Sequence, residues 1–343
     1  MSKMIATREA YGKALVKYGK ENENIVVLDA DLSKSTKTAE FSTTFPERFF
    51  NMGIAEQNML GTAAGLATSG KIPVASSFAM FAAGRAFEIV RNSICYPKLN
   101  VKICATHAGL TVGEDGASHQ SIEDLAIMRS IPNLTVINPA DAVSADKLLG
   151  EMISTYGPMY ARFGRAAVPV IYSEDQKFEI GKSITVKEGE DITIIATGIM
   201  VNEALEAAKE LEKIGLSIRV IDMHTIKPID EEAIVKAAIE TKLIVTAEEH
   251  SIIGGLGSAV AEVTAKEAPT FIQMIGVNDT FGESGKPNEL LEKYGLTSEN
   301  IYNTIMDSIE FDDEIEDEEN GCGCSGEHSH DGGCGNGGGC GCK

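Results

Sequence analysis

Glu56 is the carboxylate best placed to do chemistry. It lies in Gly53-Ile54-Ala55-Glu56-Gln57-Asn58, where an apolar run gives way to a small-residue helical pattern. A carboxyl group among Ile54, Ala55 and Met59 would be partly desolvated, which raises its pKa and prepares it to share a proton with a heterocyclic nitrogen. The plainer alternative is a glutamate favoured by the positive end of a helix. Further on, Thr106-His107 ends an apolar stretch. It opens a polar loop with Gly109, Thr111, Gly113, Glu114, Asp115, Gly116, Ser118 and His119. Glycines allow tight bends, and two neutral imidazoles can donate to developing negative charge or shuttle protons. Phe78 and Phe81 sit three apart in Ser76-Ser77-Phe78-Ala79-Met80-Phe81. They could form an apolar slot against a flat ring, or be ordinary core.

The elements around these residues alternate. Thr7 to Tyr18 has a helical stripe of Ala10, Tyr11, Ala14 and Leu15. Short apolar runs predict strands at 25–28, 49–52, 72–75, 101–105, 134–137 and 159–162. Helices are predicted at 55–68, 84–94, 122–129 and 142–154. Strands spaced by helices imply a parallel sheet covered on both faces. Ligands bind at the carboxyl ends of such strands, where the His107–His119 loop begins. Residues 164–190 lack periodicity and read as a linker. A second unit over 191–310 repeats the alternation. Its strands are predicted at 192–196, 218–221, 243–246 and 271–275, with helices at 201–214, 231–239 and 255–265 and from Asn288 and Ser298. Asp230 is placed to cap the helix from Glu231. The fold class is α/β, with two doubly wound α/β/α domains, the first spanning 1–163.

The 343-residue chain carries a formal charge of −21, unevenly distributed. From Asp312 to Lys343 there are nine acidic residues and one basic. An acidic body repels nucleic-acid backbones, so nucleic-acid binding is not expected. No apolar run is long enough to span a membrane, and the first residues lack a signal-peptide core, so a cytoplasmic protein is expected. Residues 311–343 are expected to be a disordered tail, acidic and then Gly-, Cys- and His-rich. Cys322, Cys324, His328, His330, Cys334, Cys340 and Cys342 there supply soft metal ligands, but as C-x-C pairs rather than the C-x-x-C pairs of zinc folds. No metal site is expected in the globular part. Cys95 and Cys104 read as buried reduced thiols. Gly254-Gly255-Leu256-Gly257 lacks the full spacing of a dinucleotide loop, and close helix packing explains it better. His224 and His250 read as domain-interface or loop residues.

Taken in order, Asp31, Gly53-Ile54-Ala55-Glu56-Gln57, Phe78 and Phe81, Thr106-His107, Gly113-Glu114-Asp115-Gly116, His119-Gln120 and Arg162 resemble the C-terminal half of transketolase over residues 5–310. The chain is most similar to the separate C-terminal subunit of a split transketolase, with a thiamine-diphosphate pyrimidine-binding domain and a transketolase C-terminal domain. The resemblance implies that Glu56 binds the pyrimidine nitrogen and favours the imino tautomer that prepares the thiazolium ring to lose a proton. Phe78, Phe81 and Asp31 would line the cofactor. His107, Asp115 and His119 would contact the sugar, His119 at its reacting oxygen. Arg8, Ser35 and Arg162 would hold its phosphate. The diphosphate and a Mg²⁺ or Ca²⁺ ion would be held by an N-terminal partner subunit, because no Gly-Asp-Gly motif occurs here. Assembly into a heterotetramer acting on sugar phosphates is expected. The family's third aromatic falls at Gly84. A deoxyxylulose-phosphate synthase usually lacks the first loop histidine, and a 2-oxoacid dehydrogenase beta subunit lacks the Gly-Glu-Asp-Gly loop. A non-catalytic metal-binding or scaffold protein is the alternative from another class.

Overall fold

A computed structural model describes residues 3–320. The residues up to Thr304 make one compact unit and those from Ile305 a second. The first unit holds two large sheets. One has seven strands in the order Thr225–Lys227, Thr135–Ile137, Met159–Phe163, Lys102–Thr106, Ile72–Phe78, Ile25–Asp29, Phe49–Asn51. All its neighbours are parallel except the Thr225–Lys227 edge. The other has five strands in the order Ile272–Val277, Leu243–Ser251, Ile192–Ala196, Ile218–Asp222, Ile184–Lys187, with the last antiparallel. The central strands of both sheets are buried along their whole length, as sheets covered on both faces require.

Two expectations about boundaries change. Residues 164–190 do not form a free linker. Ala167–Pro169 pairs antiparallel with Met4–Ala6, and Ile184–Lys187 adds an edge to the second sheet. Strands of three and four residues leave too short a pattern for periodicity to reveal. The domains also exchange an element, because Thr225–Lys227 lies in the sequence of the second domain but pairs with Ile137 and Val136 of the first. Lys227 Nζ reaches the carbonyls of Arg129 (2.8 Å) and Ile131 (2.5 Å) beside it.

The predicted 84–94 helix is a longer run of wide, π-type turns at Met80–Arg85 and Val90–Cys95 flanking Phe87–Ile89. Such turns are concentrated at functional sites. The last helix runs from Ser298 to Asn320. Its acidic stretch contains no glycine or proline before Gly321, and glutamate is a good helix former. The remaining tail and its Cys and His ligands lie outside the described residues. Among the described residues, no helix is long and apolar enough to cross a membrane.

The helix Thr7–Glu21 anchors the front of the first sheet. Tyr11 is fully buried, stacks on Phe163 at 4.7 Å and meets Ser76 Oγ at 2.5 Å. Such a ring pair adds ~0.5–1.5 kcal/mol beyond its area. This packing presents Arg8, one turn earlier, to the carboxyl ends of the strands.

Candidate active site

Glu56 is the first residue of the helix Glu56–Thr68, and it is buried. Its Oε2 accepts a hydrogen bond from Arg85 Nη1 at 2.8 Å, so a guanidinium compensates the buried charge. Arg85 also lies over the Phe81 ring at 4.7 Å. Phe81 stacks on Phe78 with centroids 5.9 Å apart. Phe78 in turn stacks on His107 at 3.8 Å, and His119 meets Phe81 edge-on at 5.4 Å. His107 Nε2 lies 3.2 Å from Arg8 Nη1, and Arg8 donates to the Ser35 carbonyl at 2.9 Å. A continuous run of contacts therefore joins Glu56 to both histidines and to Arg8.

His107 is held in an unusual state. It follows the strand Lys102–Thr106 with φ at +57°, a left-handed conformation that costs a non-glycine residue roughly 1–2 kcal/mol. The Phe78 stack, Arg8 and a 2.9 Å contact between Nδ1 and Thr106 Oγ1 hold it there. Burial pushes its pKa down to about 3, reinforced by Arg8, Arg165, His119 and Lys37. The imidazole is neutral in the physiological range, so one ring nitrogen donates and the other accepts.

The loop beyond it is built by its glycines. Gly109, Gly113 and Gly116 all have positive φ, which L side chains rarely adopt. The turn Leu110–Asp115 buries Leu110, Thr111 and Val112 and leaves Glu114 and Asp115 exposed. Asp31 also has positive φ and is exposed, accepting from Asn51 Nδ2 at 3.1 Å. Gly84, at the family's third aromatic position, brings no ring, and Arg85 beside it lies over Phe81.

Arg162 does not join this group. It is 3% exposed, its Nε is 3.1 Å from Asp124 Oδ2, and its other nitrogens donate to the carbonyls of Ser121 and Glu249. Its guanidinium is turned to these buried partners, and Nε has the Asp124 ion pair but no hydrogen bond. Arg165 is less buried, with 32% of its side chain exposed. It binds the Val112 carbonyl and Glu114 Oε2, the latter at 2.9 Å, and with burial it lowers the pKa of Arg8. Two guanidiniums near enough to repel, with Arg8 Nε lacking a partner in the protein, suit an anion. Sequence reasoning passed over Arg165 and Arg85. Arg165 lies three residues beyond the arginine chosen, and Arg85 directly follows the expected aromatic position.

Elsewhere the glycine-rich turn before Leu256–Glu267 holds no open anion site. The Glu248 carboxylate accepts the N–H groups of Leu256 (2.7 Å) and Gly257 (2.8 Å). His250 is buried with Nε2 accepting from Ala126 N, and His224 packs edge-on to Phe178, both at the junction of the domains. Among the described residues no group of three or more His, Cys, Asp or Glu side chains could hold a metal ion.

A buried carboxylate is thus linked through Arg85 to an aromatic pair that stacks on a neutral histidine. Residues 3–170 match the pyrimidine-binding domain of transketolase, and residues 181–301 match the transketolase C-terminal domain. These domains define a subunit of a thiamine-diphosphate enzyme. The chain is 56% identical over 305 residues to a Methanocaldococcus jannaschii protein provisionally named a transketolase C-terminal section, covering 88% of this chain and 96% of that one. It is 44% identical over 294 residues to the 6-deoxy-6-sulfo-D-fructose transketolase subunit SqwH of a Clostridium species, covering 86% and 91%. A solved split-gene transketolase, an inactive beta4 tetramer, superposes with a TM-score of 0.83 at 61% identity, covering 88% of this chain and 98% of that one. The chain belongs to the transketolase family, and it is a transketolase subunit.

Proposed function

We propose that this chain is the C-terminal subunit of a transketolase that moves a two-carbon ketol unit between sugar phosphates. It acts once a separate N-terminal subunit holds the diphosphate of the cofactor through a divalent metal such as Mg²⁺. The observation that carries this reading is the unbroken contact run from Glu56 through Arg85, Phe81, Phe78 and His107 to Arg8.

Thiamine diphosphate, when bound, supplies the electron sink for the transferred carbons. The protein supplies tautomer control, position and charge. Glu56 holds a proton at the pyrimidine nitrogen, and Phe78 and Phe81 pack the ring, with Asp31 at the edge of the site. His107 presents a neutral imidazole to a substrate hydroxyl. His119 and Asp115, on the more exposed part of the same loop, take the reacting oxygen and a further hydroxyl. Arg8 and Arg165 bind the terminal anion by their planar forks of donors, with Ser35 orienting Arg8 through its carbonyl. That a similar beta4 tetramer is described as inactive supports a required partner. The cytoplasm suits a soluble assembly acting on sugar phosphates.

The test is ketol transfer, followed with defined ketose and aldose phosphates, by this chain with and without a candidate N-terminal subunit. Activity that appears only with both chains is the expected result. Equal activity of the single chain would remove the partner, and no transfer by any combination would remove the function.

A further inference from the structure

The second domain reaches directly into the substrate loop. Glu249 lies on its strand Leu243–Ser251 and is 6% exposed. Its Oε1 accepts the Thr111 N–H at 2.6 Å, 138 residues away in sequence. The carboxylate also fills the space against Gly109, where any side chain would collide with it. Gly109 N donates to the Ser121 carbonyl at 2.8 Å, which closes the two ends of the loop. The Glu249 carbonyl accepts from Arg162, whose guanidinium also binds the Ser121 carbonyl and Asp124. Ser251 N then donates to the Ile122 carbonyl at 2.7 Å. Farther out, Gln120 Nε2 donates to the Leu110, Gly113 and Glu283 carbonyls.

We propose that Glu249 is a positioning residue for the transfer reaction, through which the C-terminal domain sets the conformation of the loop carrying His107 and His119. Resting on the transketolase reading above, this gives that domain a part in substrate binding without contact to cofactor. The physical reason is the loop's own composition. Three glycines in 109–116 impose no preferred conformation, and the turn Leu110–Asp115 is too short to be stable alone. Its first N–H groups need an acceptor, and a buried carboxylate is a stronger one than a neutral oxygen. Burial pushes the Glu249 carboxyl up to about 7, and the positive charge of Arg162 opposes that rise. Arg162 thus acts behind the loop, in the same network, rather than on the phosphate.

Glu249→Ala, Glu249→Leu and Glu249→Gln in the full chain test this. Amide hydrogen exchange reads the loop without any need for activity. In the alanine and leucine variants, exchange over residues 109–116 is expected to rise about tenfold or more while the strand Lys102–Thr106 stays protected. Glu249→Gln retains an acceptor oxygen and is expected to restore most of the protection. In the assembled enzyme, KM for the sugar phosphate is expected to rise about tenfold in the alanine variant, with cofactor affinity unchanged. Loop exchange equal to that of the unaltered protein would overturn the proposal. So would exchange rising equally throughout the chain, which marks general destabilisation. If the alanine variant does not fold, the leucine variant, close in volume, carries the same comparison. Loop exchange that responds as expected in a protein with no ketol transfer would leave the anchor standing and fault only the enzymatic reading.

Discussion

Arg85 Nη1 stands 2.8 Å from the carboxylate of Glu56, whose side chain is 1% exposed while that of Arg85 is 49% exposed. One partner of the pair is thus fixed in the protein, and the other reaches it from the rim. A ring seated on Phe81 would share the carboxylate with Arg85 or displace it. Substituting either partner should therefore have different consequences.

Glu56→Gln keeps the shape and removes the proton acceptor. In the assembled enzyme it should cut transfer by about 10²–10⁴-fold, the range typical of a lost acid–base group. The thermal midpoint should change little. Steady-state kinetics beside a melting curve checks this, and an unchanged rate would show that the site is misplaced. Arg85→Ala should instead destabilise the chain by ~1–2 kcal/mol, less than for a fully buried pair because solvent already screens the arginine.

The two arginines after the sheet should separate cleanly. Arg165→Ala is expected to raise KM for phosphorylated sugars about ten- to a hundredfold with little loss of stability, as befits a lost charge-assisted anion contact. Arg162→Ala leaves Asp124 buried without its countercharge, and Asp124 also accepts from Tyr160 at 2.7 Å. It should cost about 3–5 kcal/mol in urea unfolding. Reversed effects would restore Arg162 as the phosphate ligand.

His107 makes a statement about pH. The unfolded imidazole binds a proton near its ordinary value of 6.5, and the folded one only at about 3. Between those values the unfolded chain binds more protons, so this residue's contribution to stability is complete above 6.5 and is lost as pH falls. One coupled proton sets a slope of up to ~1.4 kcal/mol per pH unit. Glu249 and Asp222, both raised to about 7 by burial, act in the opposite sense. The comparison must therefore be with His107→Asn, whose stability should fall less between pH 6.5 and 4 than that of the unaltered chain. Parallel curves would contradict the depressed pKa.

The chain alone should bind thiamine diphosphate weakly, because a pyrimidine slot without a diphosphate grip forgoes the charged contacts. Titration calorimetry with Mg²⁺ present checks this. Affinity that does not improve when the N-terminal subunit is added would argue against a shared site.

The amino-acid pattern by itself determined the repeating strand and helix order, because continuous apolar runs and 3.6-residue stripes are local properties. It also marked Glu56, Phe78, Phe81, His107 and His119, because unusual residue types stood where strands hand over to helices. Tertiary structure alone decided which arginine is buried. Arg162 and Arg165 differ by three positions, and packing against Asp124 and Ser121 buries the first while the second stays partly exposed beside Glu114. It alone decided that Arg85 partners Glu56, since wide π-type turns shift every later side chain from its expected helical angle. The exchange of Thr225–Lys227 into the first sheet, and the reach of Glu249 into the loop, depend on residues far apart in the chain, whose proximity no local spacing encodes.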